Sequence, residues 1–172
     1  MAFFVQVGTN GVDLPEHFEK IPTIDRYCLP LESADPNTHN AIRLYKNEHH
    51  EIILDRLARL QETGKSVTIS TVVSRESITG LKDLGLMLKA YQDNGGNLHA
   101  WHLYKFLPEG RGGKPSAERL SISKKTFNDS VSQLKEMNLG FTIYKRSNMF
   151  ASKTVGFFWY EREHLRHIGI ES

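Results

Sequence analysis

β-branched runs alternate with apolar stripes of helical period along most of this chain, and that alternation leaves few folds open. Lys65 to Val73 is rich in β-branched residues and reads as a buried strand, and Leu98 to Phe106 reads as another. Between them, Leu81, Leu84, Leu88 and Tyr91 share one helical face, with Ser77 placed to cap the helix and Asn94-Gly95-Gly96 to end it. A helix starting at Glu48 carries Ile53, Leu57 and Leu60 and stops at Gly64; a further one, capped by Ser123, carries Phe127, Val131, Leu134 and Met137. Phe3 to Gly8, Tyr27 to Leu31, Phe141 to Tyr144 and Val155 to Tyr160 read as shorter strands, Pro15 to Lys20 as a brief helix, and Leu107 to Ser121 as a loop.

Strands separated by helices pair in parallel through right-handed crossovers. The expected fold is therefore α/β: a partial (βα) TIM-type barrel of about four βα units plus C-terminal strands, forming a single domain over residues 1–172. A complete barrel needs about 200 residues or more. The chain also opens directly on an apolar strand, so its start reads as a cut through a larger barrel.

Composition narrows the function classes. A net charge of +2 gives no basic surface for nucleic acid and no patch for a membrane. No apolar run approaches the roughly 18 residues that span a bilayer, and Met1 to Val7 is too short for a signal segment. The single cysteine, Cys28, excludes an intrachain disulfide and a multi-cysteine metal site, which places the expected location in the reducing cytoplasm. Within its strand Cys28 reads as a small buried hydrophobe. The histidines form no ligand set by spacing. His49 and His50 are adjacent and leave a helix on different faces; His99 and His102 point to opposite faces of a strand; His164 and His167 would share a helical face but lack a third ligand.

Four stretches, in order and at matching separations, resemble the radical S-adenosylmethionine (SAM) barrel. Thr9-Asn10-Gly11 resembles the T-N-G that ends the third strand of that fold. Leu29-Pro-Leu-Glu-Ser33, followed by Asp35-Pro36, His39-Asn40 and Ile42-Arg43, is similar to the fourth strand with its S-L-D-S and P-x-x-H-D/N-x-I/L-R. Ser70-Thr-Val-Val73 resembles the N-x-V-V of the fifth strand, and Trp101-His-Leu-Tyr-Lys-Phe-Leu-Pro-Glu-Gly110 the W-x-L-x-Q-F-x-P-x-G of the sixth. The resemblance spans roughly residues 5–135, leaving 136–172 as C-terminal strands and tail.

The resemblance implies an iron–sulfur oxidoreductase of the peptide-modifying, enzyme-activating or cofactor-building type. Its partners would be SAM and an unidentified substrate, a peptide or protein among the candidates. Sites lie where barrel strands end. By resemblance, Thr9 and Ser33 would hydrogen-bond the SAM ribose or carboxylate, with Asn10 beside them. Glu32, standing where the family has Asp, would accept from ribose hydroxyls, and Arg43 would pair with the SAM carboxylate. Ser70 and Val73 would line the ligand, and the backbone at Phe106 and Leu107 would meet the adenine. Pro30 and Lys105 depart from the family's serine and glutamine.

The family's C-x-x-x-C-x-x-C loop, which ligates a [4Fe–4S] cluster, and its G-G-E/D stretch are absent from these 172 residues and are expected upstream of Met1. The cluster then belongs to the intact enzyme only, and the chain alone is expected to be inactive. It would lean on a separate N-terminal segment or self-associate along Phe3 to Val7.

Plainer readings stand beside these. Thr9-Asn10-Gly11 is also a generic turn, Glu32-Ser33 a loop cap, Arg43 a surface residue and Ser70 a hydrogen-bonded core serine. A non-enzymatic barrel acting as a scaffold is one rival function. A fragment of a phosphate-binding barrel using Gly110 to Gly113 is the other.

Overall fold

The computed structural model describes residues 3–109 and 113–147, and the backbone of 157–161 and 164–168. Five strands form one wholly parallel sheet in sequential order: β1 Gln6–Gly8, β2 Arg26–Pro30, β3 Ser66–Val73, β4 Leu98–Lys105 and β5 Thr142–Arg146. Helices α1 Pro36–Arg43 and α2 His49–Glu62 cross from β2 to β3, and α3 Leu81–Asp93 crosses from β3 to β4. Short α4 Ala117–Leu120 and α5 Lys124–Glu136 cross from β4 to β5. This is the expected α/β fold, a mixed chain with crossover helices on a parallel sheet, as in part of a βα barrel. No helix among the described residues is long and apolar enough to cross a membrane.

The pleat decides what each face of the sheet does. Tyr27, Leu29, Ile69, Val73, Trp101 and Leu103 point toward the helices and are buried with Leu57, Leu84, Leu88 and Phe127 in one core. Their neighbours in the strands, Cys28, Ser70, Val72, His102 and Tyr104, turn to the other face, where they are half-buried. Register runs straight across that face from Pro30 to Ser70, His102 and Tyr144.

Several local expectations are corrected. Pro36–Arg43, unassigned by apolar period, is a helix: Asp35 accepts from the Thr38 amide at 2.7 Å, and Pro36 stands in the first turn. Ser77 does not cap α3. A 3₁₀ turn, Ile78–Gly80, comes first, and the Ser77 hydroxyl instead accepts from the Ser74 amide and donates to the Val72 carbonyl. Ser123 does cap α5, accepting from the Thr126 amide at 3.0 Å. The brief helix is 3₁₀, Phe18–Lys20, and the loop after β4 contains α4. Pro30 costs the ladder little, because it closes β2 and the next amide, Leu31, donates to the Ser70 carbonyl at 3.0 Å.

The last strands leave the sheet. β6 Phe157–Glu161 and β7 His164–Ile168 pair antiparallel with each other in a separate two-stranded sheet. The helical reading of His164 and His167 is therefore replaced by a strand, in which residues three apart belong to opposite faces. Val155 and most of the Gly110 to Gly113 loop lie outside the described residues.

Candidate functional site

A cleft of about 740 Å³ opens where β2, β3 and β4 end, and Glu32, Arg43, Ser70, Val72, Tyr104 and Leu107 are among its lining residues. A second hollow of about 490 Å³ lies before β5, at Lys135 to Ile143. It brings no convergent set of acids, bases or donors, so the strand-end cleft is the candidate.

Glu32 follows β2 directly and is fully buried. One of its carboxylate oxygens, Oε1, pairs with Nη2 of Arg43, the last residue of α1; the other, Oε2, accepts from the Val72 amide at 2.6 Å. Burial pushes the Glu32 carboxyl up, while the Arg43 guanidinium and the Val72 amide act in the opposite direction. Arg43 Nε is buried and has no partner. Behind the pair, Trp101 Nε1 donates to Thr71 Oγ1 at 2.8 Å, and Thr71 donates to the carbonyl of Leu31, the residue before Glu32.

The structure places Glu32, Arg43, Ser70, Phe106 and Leu107 together in the cleft lining. The others stand apart from it. Thr9 Oγ1 accepts from the Gly11 amide at 3.0 Å and Asn10 Oδ1 from the Val12 amide at 3.1 Å, so both side chains build the turn after β1. That turn needs Gly11, which has φ 79° and whose missing Cβ would sit 2.8 Å from Ile53 Cδ1. Ser33 is buried and accepts from the Asp35 amide at 3.1 Å. Val73 is in the core; by strand parity its neighbours Val72 and Ser74 face the cleft instead.

Sequence reasoning missed a histidine cluster. α1 ends at Arg43 and is capped by Leu44, and Leu44, Lys46 and Asn47 all have positive φ, so α2 turns back against α1. Asn40 staples this turn, donating to the Asn47 carbonyl at 2.8 Å and accepting from the His50 amide at 2.9 Å. The turn brings His39, His49 and His50 together, all buried. His39 and His49 stack with ring centroids 5.0 Å apart, and His50 meets His39 edge-on at 5.3 Å.

Hydrogen bonds run through the first two rings in one direction only. The Glu32 amide donates to His39 Nδ1 (3.0 Å), so His39 carries its proton on Nε2. His39 Nε2 then donates to His49 Nδ1 (2.7 Å), and His49 Nε2 donates to the Asn10 carbonyl (2.9 Å). An amide can only donate and a carbonyl only accept, which fixes both tautomers and leaves no nitrogen of His39 or His49 free for a metal. Among the described residues, no group of three His, Cys, Asp or Glu side chains could hold a metal ion.

Burial and the neighbouring rings hold His39 down at about 3, and burial lowers His49 and His50 as well. Since these rings are neutral when folded and titrate near 6.5 when unfolded, stability is complete above about pH 6.5 and falls as pH drops toward 3. Each ring that takes up a proton only in the unfolded chain costs about 1.4 kcal/mol per pH unit in that window. Urea unfolding at pH 7.5, 6 and 5 is expected to show the midpoint falling at each step. A midpoint constant across that range contradicts the neutral cluster.

No family model and no curated protein sequence matches this chain. Among solved structures it is similar to the crystal structure of a domain of pyruvate-formate lyase-activating enzyme from Bacteroides vulgatus ATCC 8482. The TM-score is 0.59 at 13% identity, over 84% of this chain and 81% of that one. The likeness is one of fold.

Proposed function

We propose that the cleft at the strand ends is the nucleoside-facing half of an S-adenosylmethionine site in a radical SAM-type barrel. The observation that carries this reading is the Glu32–Arg43 pair, an acceptor and a guanidinium side by side in one strand-end cleft with Ser70 and the Phe106–Leu107 backbone. The fold likeness to an activating-enzyme domain, from a member of that superfamily, supports it. Arg43, 29% of whose side chain is exposed, would turn its guanidinium, including the unpartnered Nε, to the ligand's carboxylate, and that movement would uncover the buried Glu32 oxygens for ribose hydroxyls.

An iron–sulfur cluster does not fit these residues. Its iron is held by several cysteine thiolates, whereas the 172 residues contain only Cys28, and burial pushes that thiol up, away from the thiolate a metal needs. The task left to this chain is to bind and orient the nucleoside and to form part of the wall facing a substrate, in the peptide-modifying, enzyme-activating or cofactor-building branch. Radical chemistry would need cluster ligands from elsewhere.

Calorimetric titration of the chain with SAM, alone and beside an added N-terminal cluster segment of an activating enzyme, tests this reading. Saturable heat with SAM in at least one of the two is expected. No heat in either favours the scaffold reading, and heat with inorganic phosphate in place of SAM favours the phosphate-binding barrel.

The proposed pairing along the first strand has its own test. β1 is an edge of the five-stranded sheet, and Phe3 and Phe4 beside it are 83% and 61% exposed. Light scattering is expected to give a mass above the monomer that rises with concentration, and Phe4→Asp is expected to lower it. A monodisperse monomer at every concentration contradicts the pairing.

A further inference from the structure

The chain of hydrogen bonds from the Glu32 amide through His39 and His49 to the Asn10 carbonyl ties two separate loops and two helices to one another. It joins the turn after β1, the turn after β2 and the two helices that follow. Each ring uses one nitrogen as donor and the other as acceptor, so the path is saturated. One proton added from solvent must land on His39 Nδ1 or His49 Nδ1. On the first it faces the Glu32 N–H; on the second it faces the His39 Nε2–H. Either way two donors meet and one link of the path opens.

We propose that His39 and His49 are positioning residues whose neutral hydrogen-bonded path holds Glu32 beside Arg43, and that uptake of one proton by either ring releases that pair in the cleft.

The surroundings favour a discrete switch. The charged and titratable groups facing His39 are Arg43 on its own helix and His49 and His50 on α2. Those facing His49 are Arg43, His50 and the Tyr45 ring, which meets it edge-on at 6.3 Å, together with His39. His50 differs, with Asp35 and Glu51 near it and its Nε2 buried without a partner. Arg43 and the neighbouring rings oppose a proton on His39, and Arg43 and His50 oppose one on His49, while the Glu32 carboxylate is taken up by Arg43 and the Val72 amide. The path therefore stays neutral until acid opens it. The two ends of the path differ in consequence. At Asn10 nothing is lost, because a protonated His49 still donates from Nε2 to that carbonyl, whereas at Glu32 the loss frees the backbone of the residue whose carboxylate meets Arg43.

This inference concerns the cleft assigned above and rests on that reading for its functional meaning. Its test uses no ligand, so failure of SAM to bind and failure of the switch give different results. Long-range proton–nitrogen NMR spectra of the full chain report the ring nitrogens. Above pH 7 both His39 and His49 are expected as the Nε2–H tautomer. On acidification, the ring signals, the Glu32 amide and the Arg43 Nε–H are expected to shift with one shared midpoint, below the ordinary value of about 6.5.

His49→Gln retains an acceptor for His39 and a donor for Asn10, so it is expected to keep the Glu32 amide and Arg43 Nε–H at their neutral-pH positions. His49→Phe removes both links and is expected to displace them at every pH. A Nδ1–H tautomer at either ring overturns the proposal. So do ring titration with Glu32 and Arg43 unmoved, and collapse of all amides together with no earlier local shift. If His49→Phe does not fold, the titration of the unaltered chain and His49→Gln decide the matter.

Discussion

Arg43→Met is expected to destabilise the fold at pH 7.5 by an amount toward the lower end of the roughly 3–5 kcal/mol that breaking a buried ion pair costs. The lower end applies because 29% of the Arg43 side chain remains in contact with water, whereas Glu32 has none. The cost falls on Glu32. Without the guanidinium, a fully buried carboxylate keeps only the Val72 amide as a donor. Burial already raises the Glu32 carboxyl, and losing Arg43 raises it further. A raised carboxyl takes up a proton in the folded state at a pH where the unfolded chain has released it. The penalty relative to the unaltered chain therefore grows as pH rises through the already raised Glu32 value and fades below it, where both folded proteins carry Glu32 protonated. Urea unfolding of both proteins at pH 7.5 and pH 5 is expected to give a smaller difference at pH 5. A difference that does not change with pH means that the partner being lost is not an ionised Glu32.

Trp101→Ala is expected to cost about 3–5 kcal/mol, the range for removing a buried large aromatic side chain. Trp101 is fully buried, and two neighbours have been fitted to it. On α3 stands Gly85, where a Cβ would come within 3.3 Å of the Trp101 ring and 2.9 Å of Leu139 Cδ1. A mid-helix glycine costs its helix about 1 kcal/mol relative to alanine, and here it lets the helix approach the indole closely. The second neighbour is Thr71, which accepts from the indole N–H and donates to the Leu31 carbonyl. Truncating Trp101 thus leaves a cavity and also loosens the support of the residue just before Glu32. Thermal or urea unfolding checks the magnitude; a loss below about 1 kcal/mol would place Trp101 outside a tightly packed core.

The parallel sheet was legible because its strands are β-branched runs and its longer helices show a clear apolar stripe: Ile69 and Val73 in β3, Leu84 and Leu88 in α3. α1 was not legible by that signal, since Pro-Asn-Thr-His-Asn-Ala-Ile-Arg shows little apolar stripe. Its start signal, Asp35 followed by Pro36, was present and is the better guide for a short polar helix. In the site, Glu32, Arg43, Ser70, Phe106 and Leu107 were named from sequence and do share the cleft. Val73 lies in the core instead, where the two-residue pleat puts it once Ser70 faces the cleft. Thr9 and Asn10 followed their local chemistry, as turn residues bonding their own backbone.

The histidine path was illegible for a specific reason. Adjacency of His49 and His50 on one helix says nothing about a third ring arriving from another helix. That approach depends on three left-handed residues between α1 and α2, at Leu44, Lys46 and Asn47, of which only Asn47 is of a type that favours the conformation. The Glu32–Arg43 pair was likewise read as two separate ligand contacts; only the structure shows that each is the other's partner.

Whether this cleft receives the nucleoside can be read by adding SAM to the isotopically labelled chain and following its amide and arginine signals. A nucleoside half-site predicts saturable shifts concentrated at Glu32, Arg43, Ser70 and Leu107, with the hollow at Lys135 to Ile143 unmoved. Shifts confined to residues outside the cleft, or none when SAM is added alone or with a cluster segment supplied, would contradict it.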